Sequence, residues 1–229
     1  MGSSSDGPNS ALVEASGLER RFGDGDRILV AVASATCTVP AGARIGLVGP
    51  SGSGKSTLLH LLAGLDIPDA GTLSWPALGA RTTLRPRQVA YVFQTPSLVD
   101  ALTALENVAL PLLLDGMDPR EAAQAALEAL AKIGLADLAD KLPEELSGGQ
   151  AQRIAVARAL AARPKLIFAD EPTGQLDHPT AAHLFDVLLA ALEGTPAALV
   201  VATHDPAIAR RMDSVWRMDH GVLATENSG

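Results

Sequence analysis

At 229 residues the chain is long enough to bury one good core, as one domain or as two small ones. Hydrophobic residues at 47% and aromatics at 3% point to an aliphatic, alanine-filled α/β interior, while a net charge of −8 argues against a general electrostatic grip on nucleic acid or an anionic membrane surface. Cys37 is the sole cysteine, so no intramolecular disulfide can form and a reducing cytoplasm is the natural compartment.

Residues 1–10 are small and polar with almost nothing to bury, and a disordered tail is expected there. Leu12–Ala15, Ile28–Ala33 and Thr36–Val39 read as short strands separated by Gly-Asp-rich turns such as Gly23-Asp24-Gly25-Asp26. An antiparallel sheet is therefore expected to open the fold. Arg44–Val48 follows as an apolar strand and Ser56–Ala63 as an apolar helix. Between them, Gly49-Pro50-Ser51-Gly52-Ser53-Gly54-Lys55-Ser56-Thr57 fits a Gly, four residues, then Gly-Lys-Ser/Thr.

Strand, glycine loop and helix together predict a nucleoside-triphosphate site. Glycines 49, 52 and 54 allow positive φ and keep side chains out of the cradle, so the backbone amides of the loop, those of Ser51 and Ser53 included, can face one anion. The helix start adds its unpaired donors and its dipole. Lys55 can reach the outer phosphates, the Ser56 hydroxyl can ligate Mg²⁺, and Thr57 can add a further hydroxyl. Phe22, beside the earlier turn, can stack on a base or pack under the turn.

A turn cluster at Gly64, Asp66, Pro68 and Gly71 precedes a candidate strand at Thr72–Trp75. Val89–Phe93 is a second apolar strand, with Gln94 at its end. Ligands bind at the carboxyl ends of parallel strands in open α/β sheets, which makes Gln94 a candidate ligand-sensing residue. From 95 to about 162 the chain turns helical, with helix-start signals at Thr103 with Glu106 and at Asp118-Pro119 with Glu121. Arg120–Leu138 reads as one amphipathic packing helix with Leu127, Leu130 and Ile133 on its apolar face. A helical insertion is implied.

Near its end, Leu146-Ser147-Gly148-Gly149-Gln150 reads as a helix start, with Ser147 as N-cap and Gln150 closing a capping box. Two glycines in a first turn cost about 1 kcal/mol each in helix propensity, which points to a purpose beyond folding. A bare helix N-terminus is an anion site, so the chain carries two phosphate-facing helix starts.

Lys165–Ala169 resumes the strand and helix alternation and runs into Asp170 and Glu171. Two adjacent carboxylates after an apolar strand complement the glycine loop: Asp170 can hold the Mg²⁺ shell beside Ser56, and Glu171 can accept a proton from, or polarise, a water attacking the γ-phosphate. A helix from about Pro179 to Leu192, a buried strand at Ala197–Ala202 and a hairpin around Asp219-His220-Gly221 complete a parallel sheet flanked by helices. No run approaches the roughly 18 apolar residues of a membrane span, and the start lacks the pattern of a signal peptide. Of the 18 basic residues only Lys55, Lys132, Lys141 and Lys165 are lysines, a bias in keeping with a G+C-rich bacterial source.

From about Ala11 to Thr225 the chain resembles the nucleotide-binding subunits of ATP-binding cassette (ABC) transporters. The resemblance rests on five further motifs in order after the Walker A loop at 49–57: a Q-loop at Gln94, the signature Leu146–Gln150, Walker B ending at Asp170 and Glu171, an aspartate loop at Asp177, and a switch histidine at His204 in Thr203-His204-Asp205. It implies a P-loop NTPase (RecA-like) α/β core with an N-terminal antiparallel β subdomain and an inserted α-helical subdomain at about 95–162. Residues 11–225 would be one ATPase domain, with 226–229 as a tail.

It also implies ATP and Mg²⁺ as ligands, with Glu171, His204 and Gln94 catalytic, Ser56, Gln94 and Asp170 around the metal, and Phe22 stacked on adenine. Ser147, Gly148 and Gly149 would meet the nucleotide held by a second ATPase subunit in a head-to-tail dimer, most simply a homodimer, and Gln150 and Asp177 would be further nucleotide-binding residues. The other partner would be a transmembrane permease that keeps the subunit on the inner face of the cell membrane; no nucleic acid is expected. Within the family, Gly64–Gly71, Leu102–Val108 and Ala169–Gly174 are similar to the lipoprotein-release and macrolide-export group, with a regulatory ATPase controlling cell-wall hydrolases as the alternative. Phe22 stands where tyrosine is more usual, Gln175-Leu176-Asp177 varies the usual wording, and the stretch from Gly71 to Gln94 is short.

Overall fold

A computed structural model describes residues 11–23, 28–174 and 176–226, apart from the side chain of Glu226. The expected tails at 1–10 and 227–229, most of the turn at 23–26, and Gln175 lie outside these residues. In chain order the elements are β1 Ala11–Phe22, β2 Leu29–Pro40, β3 Arg44–Val48, α1 Lys55–Leu62, β4 Ala70–Ser74, β5 Val89–Val92, α2 Ala104–Leu114, α3 Pro119–Lys132, α4 Gly148–Ala161, β6 Leu166–Asp170, α5 His178–Leu192, β7 Ala198–Ala202, α6 Pro206–Ala209, β8 Ser214–Asp219 and β9 Val222–Glu226. They fall into two compact units, 1–84 with 195–229 and 85–194.

The first unit holds the expected antiparallel sheet, three strands in the order β2-β1-β4. The two strands expected at 28–33 and 36–39 are one. The reason is a bulge: Leu18 pairs with Ala35 and Arg20 with Val32, so β2 carries one extra residue between those pairs, and Ser34 takes φ 54. That extra residue reverses the alternation, burying Val32 and then Ala35, Cys37 and Val39. A matching irregularity in β1 lies around Gly17, between the pairs Ala15/Cys37 and Leu18/Ala35. Burial pushes the Cys37 thiol up to about 12, so it stays protonated and acts as a small hydrophobe.

The same unit contains β3 paired in parallel with β7 on one side and with β8 on the other, and β9 closing antiparallel on β8. β3 and β7 are buried almost throughout, as strands covered on both faces must be. Trp75 seals the end of α1: it is buried, and its Nε1 donates to the carbonyl of Leu62 at 2.8 Å.

The second unit pairs β5 and β6 in parallel and carries α2, α3, α4 and α5. Thr103 and Glu106 form the expected capping box on α2, and Asp118 caps α3 with Pro119 at its first turn. α3 stops at Lys132, short of the expected Leu138. Gly134 takes φ 69 and the Leu135 amide turns back to the Leu130 carbonyl at 2.9 Å, a glycine C-cap, after which Ala136–Leu138 is a single 3-10 turn. The buried face of α3 is Ala122, Ala126 and Leu130, continued by Ile133; Leu127 is 39% exposed, contrary to its expected place on that face. Asn107, fully buried, ties the loop before α2 together by accepting from Val99 N and donating to the carbonyls of Val99, Leu102 and Thr103.

Candidate functional site

β3 ends at Val48, and the loop that follows doubles back into α1 because two of its glycines lie against backbone. A Cβ on Gly49 would fall on the carbonyl oxygen of Met218 in β8, and one on Gly54 would fall on that of Ala31 in β2. Gly54 is the N-cap of α1 with φ 102, a conformation closed to most L-residues. Gly52 also has positive φ but faces open space. The loop is fastened from outside by the Gly221 amide, which donates to the Ser53 carbonyl at 2.9 Å.

Lys55 is buried, and its Nζ donates to the carbonyls of Gly49 and Pro50, both at 2.9 Å. The ammonium is thereby held within the curve of the loop rather than in water. Ser56 and Thr57, in the first turn of α1, are half-buried, whereas Ser51 and Gly52 at the crown are exposed. The hydroxyl of Ser53 is buried and has no hydrogen-bond partner among the described residues. A buried hydroxyl without a partner among the described residues, a captive ammonium and a helix N-terminus with no side-chain cap fit a phosphate chain.

His204 belongs to the same unit and is exposed just beyond the end of β7. The register sets it beside the loop: Leu47 pairs with Ala202, and the Thr203 amide donates to the Leu47 carbonyl at 3.1 Å. Phe22 ends β1 and is 41% exposed, with the Arg20 guanidinium over its ring.

The other predicted residues lie in the second unit. Val92 pairs with Ala169, so Gln94, exposed two residues past β5, runs out alongside Asp170 and Glu171 at the end of β6. Asp170 is buried at 5% exposure. Its charge adds to burial in driving the Tyr91 hydroxyl well above its ordinary value. Glu171 is half-buried with φ 47, a left-handed conformation rare for a glutamate, and its carbonyl accepts from the Gly174 amide at 3.1 Å.

α4 begins as expected. Ser147 accepts from the Gln150 amide at 3.2 Å, and its own amide donates to Gln150 Oε1 at 2.8 Å. Ser147 and Gly148 are exposed at this helix end. A Cβ on Gly149 would lie 2.9 Å from Leu176 Cδ2, the movable end of a side chain, so packing makes only a mild demand for glycine there. Asp177 is the N-cap of α5, accepting from Thr180 N at 2.9 Å and Thr180 Oγ1 at 3.0 Å; these bonds, the backbone one first, hold its carboxyl below the usual range. The structure thus assigns Asp177 a folding role that the sequence reading did not.

Gln152 was also missed. It is fully buried, and its Nε2 donates to the Phe93 carbonyl at 3.1 Å. Its place two residues after the Ser147–Gln150 start was the available signal, since a glutamine there lies on the inward face of α4.

Residues 32–174 match the family described as ABC transporter. The lipoprotein-releasing system ATP-binding protein LolD of Gluconobacter oxydans is 45% identical over 214 residues, covering 90% of this chain and 93% of that protein. The LolD of Legionella pneumophila strain Paris is 41% identical over 222 residues, covering 94% and 98%. Among solved structures, the dimeric bacterial ABC transporter cassette MJ0796 superposes with a TM-score of 0.88 at 34% identity, covering 94% of this chain and 98% of that one. Its dimeric post-hydrolysis state bound to ADP and Pi gives 0.87 at the same identity and coverage. The P-loop α/β fold with its antiparallel β sheet is thereby the fold of this chain.

Proposed function

The chain belongs to the ABC transporter family as one of its ATP-binding, ATP-hydrolysing subunits, and we propose that it pairs head to tail with a second copy on MgATP and drives a separate transmembrane permease in lipoprotein release. The observation that carries the substrate class is the 45% identity to a lipoprotein-releasing LolD over nearly the whole of both chains. No helix among the described residues is long and apolar enough to cross a membrane, in keeping with a subunit that reaches the bilayer through a partner.

In this reading Phe22 takes the adenine, the amides of Gly49, Ser51, Gly52, Ser53 and Gly54 with Lys55 and Thr57 take the phosphates, and Ser56, Gln94 and Asp170 serve the metal. Magnesium, when bound, offsets charge on the phosphate oxygens and needs only one or two protein ligands besides the nucleotide. Glu171 draws a proton from the attacking water and His204 contacts the γ-phosphate. Ser147, Gly148, Gly149 and Gln150 offer an exposed helix start to the nucleotide of the other copy, near which Asp177 would also lie. That exposed second anion site supports the head-to-tail pairing.

The test is to tag Glu171→Gln in its native cell, solubilise membranes with MgATP, and identify what copurifies by mass spectrometry. A permease with a large extracytoplasmic domain that binds lipoprotein supports the proposal. A co-recovered wall hydrolase would replace it with the regulatory alternative, and recovery of no membrane protein would overturn both.

A further inference from the structure

Among the described residues, the Phe22 ring takes a cation against one of its faces. The Arg20 guanidinium carbon sits 4.7 Å from the centroid of its ring, yet the side chain keeps 41% of its surface. Arg20 is itself fixed from a distant part of the chain: Nε donates to Asp66 Oδ2 at 2.7 Å and Nη1 to Asp69 Oδ1 at 3.1 Å. Asp69 is held in turn, its carboxylate accepting from the Arg21 amide at 2.7 Å and its own amide donating to the Glu19 carbonyl at 2.8 Å. The turn before β4 thus clamps a cation against the aromatic ring that ends β1.

Phenylalanine has no hydroxyl by which to anchor its ring. At the end of a strand its rotamer is free unless something holds it, and each freed rotor lowers the affinity of whatever stacks there. A guanidinium over the ring does two things: it attracts the π face electrostatically and it occupies that face. We propose that Arg20, set by Asp66 and Asp69, is a positioning residue for the nucleotide base, holding the Phe22 ring and closing one of its faces so that the base stacks on the other. The proposal rests on Phe22 being the base platform. It adds a selectivity element that acts on the purine and not on the phosphates.

The experiment is calorimetric titration of the full chain, magnesium chelated, with ATP and with inorganic tripolyphosphate, which fills the phosphate loop without a base. Arg20→Ala should weaken ATP by about three- to fivefold and leave tripolyphosphate unchanged, which also reports that the loop is folded. Arg20→Gln, which keeps a donor for Asp66 without the cation, should give the same split and carries the test if the alanine variant does not fold. In a Phe22→Ala background, either change should cost nothing further. Equal loss for both ligands, an additional loss in the Phe22→Ala background, or no loss of ATP affinity while Phe22→Ala itself weakens ATP would each overturn the role of Arg20. If Phe22→Ala leaves ATP binding intact, the base-platform reading fails first and the role of Arg20 falls with it.

Discussion

Gln152, fully buried near the start of α4, donates its side-chain amide to the main-chain carbonyl of Phe93, the residue before Gln94. One hydrogen bond therefore joins the helix that opens with Ser147-Gly148-Gly149-Gln150 to the exit of β5. A shift of that helix end would pull on the backbone beside Gln94 through this bond. Replacing Gln152 by leucine should remove this bond and destabilise the protein by about 1 kcal/mol. It should also lower ATP turnover more than ATP affinity. Urea denaturation and steady-state phosphate release read the two effects; unchanged turnover in a destabilised variant would leave the bond with a folding role alone.

The three loop glycines are not equivalent. Gly52→Ala meets open space and should cost only the left-handed conformation, about 1–2 kcal/mol. Gly49→Ala and Gly54→Ala drive a methyl into the carbonyls of Met218 and Ala31, which belong to neighbouring strands and cannot yield without opening the sheet. Both should cost more than Gly52→Ala and abolish nucleotide binding, as thermal melts with and without ATP would reveal. Equal behaviour of all three would place the loop's glycine requirement in φ rather than in the close approach.

The residues legible in the sequence were those whose meaning is local. The loop at 49–57, the capping boxes of Thr103 with Glu106 and Ser147 with Gln150, and the strand ending in Asp170-Glu171 each encode their geometry in a few adjacent positions. What local pattern could not disclose were long-range events. The β2 bulge at Ser34 depends on pairing with β1, and the buried Gln152 amide depends on a carbonyl brought to it from the exit of β5 by folding. Two local features were also ambiguous: Gly134 could be a cap or an interior residue of α3, and Asn107 could face water or the carbonyls of its own loop. Polar residues inside a helical pattern look the same whether they meet water or a distant backbone.

Asp177 ties the start of α5 to a measurable acid response. Its folded pKa is held down by the Thr180 amide and hydroxyl, so the carboxylate stabilises the fold above its unfolded value, about 3.9. That contribution is lost as pH falls through the lower, folded value. Asp177→Asn keeps a capping oxygen without the charge. Its thermal midpoint should therefore fall less steeply than that of the parent between about pH 5 and pH 3. Parallel acid slopes in circular-dichroism melts would mean that the cap works without its charge.

Lys55 spans its own loop, and its two bonds to the Gly49 and Pro50 carbonyls keep a positive charge where phosphates would arrive. Lys55→Ala should weaken ATP by about 100-fold or more, since hydrogen bonds to charged groups carry about 1.5–3 kcal/mol each. Lys55→Arg should not restore binding, because a planar fork cannot occupy the same buried turn as a compact ammonium. Fluorescent-nucleotide titration checks both, and full binding by the arginine variant would reduce the role of Lys55 to charge alone.

Glu171 sits at the point where the backbone leaves β6 in a left-handed conformation, beside the buried Asp170. Strain of this kind at a glutamate persists only when its surroundings over-determine it, and here the Gly174 amide bonds the Glu171 carbonyl across the turn. Glu171→Gln preserves the shape and removes only the charge proposed to accept the proton. It should bind ATP with the parent's affinity, hydrolyse it about 100- to 10,000-fold more slowly, and accumulate as an ATP-dependent dimer on size exclusion. Glu171→Gly should lose hydrolysis to the same degree while accepting the left-handed turn without penalty. The two variants together separate chemistry from backbone. If Glu171→Gln turns over at the parent rate, the base lies elsewhere; if Glu171→Gly hydrolyses faster than Glu171→Gln, the strained turn rather than the carboxylate limits the reaction.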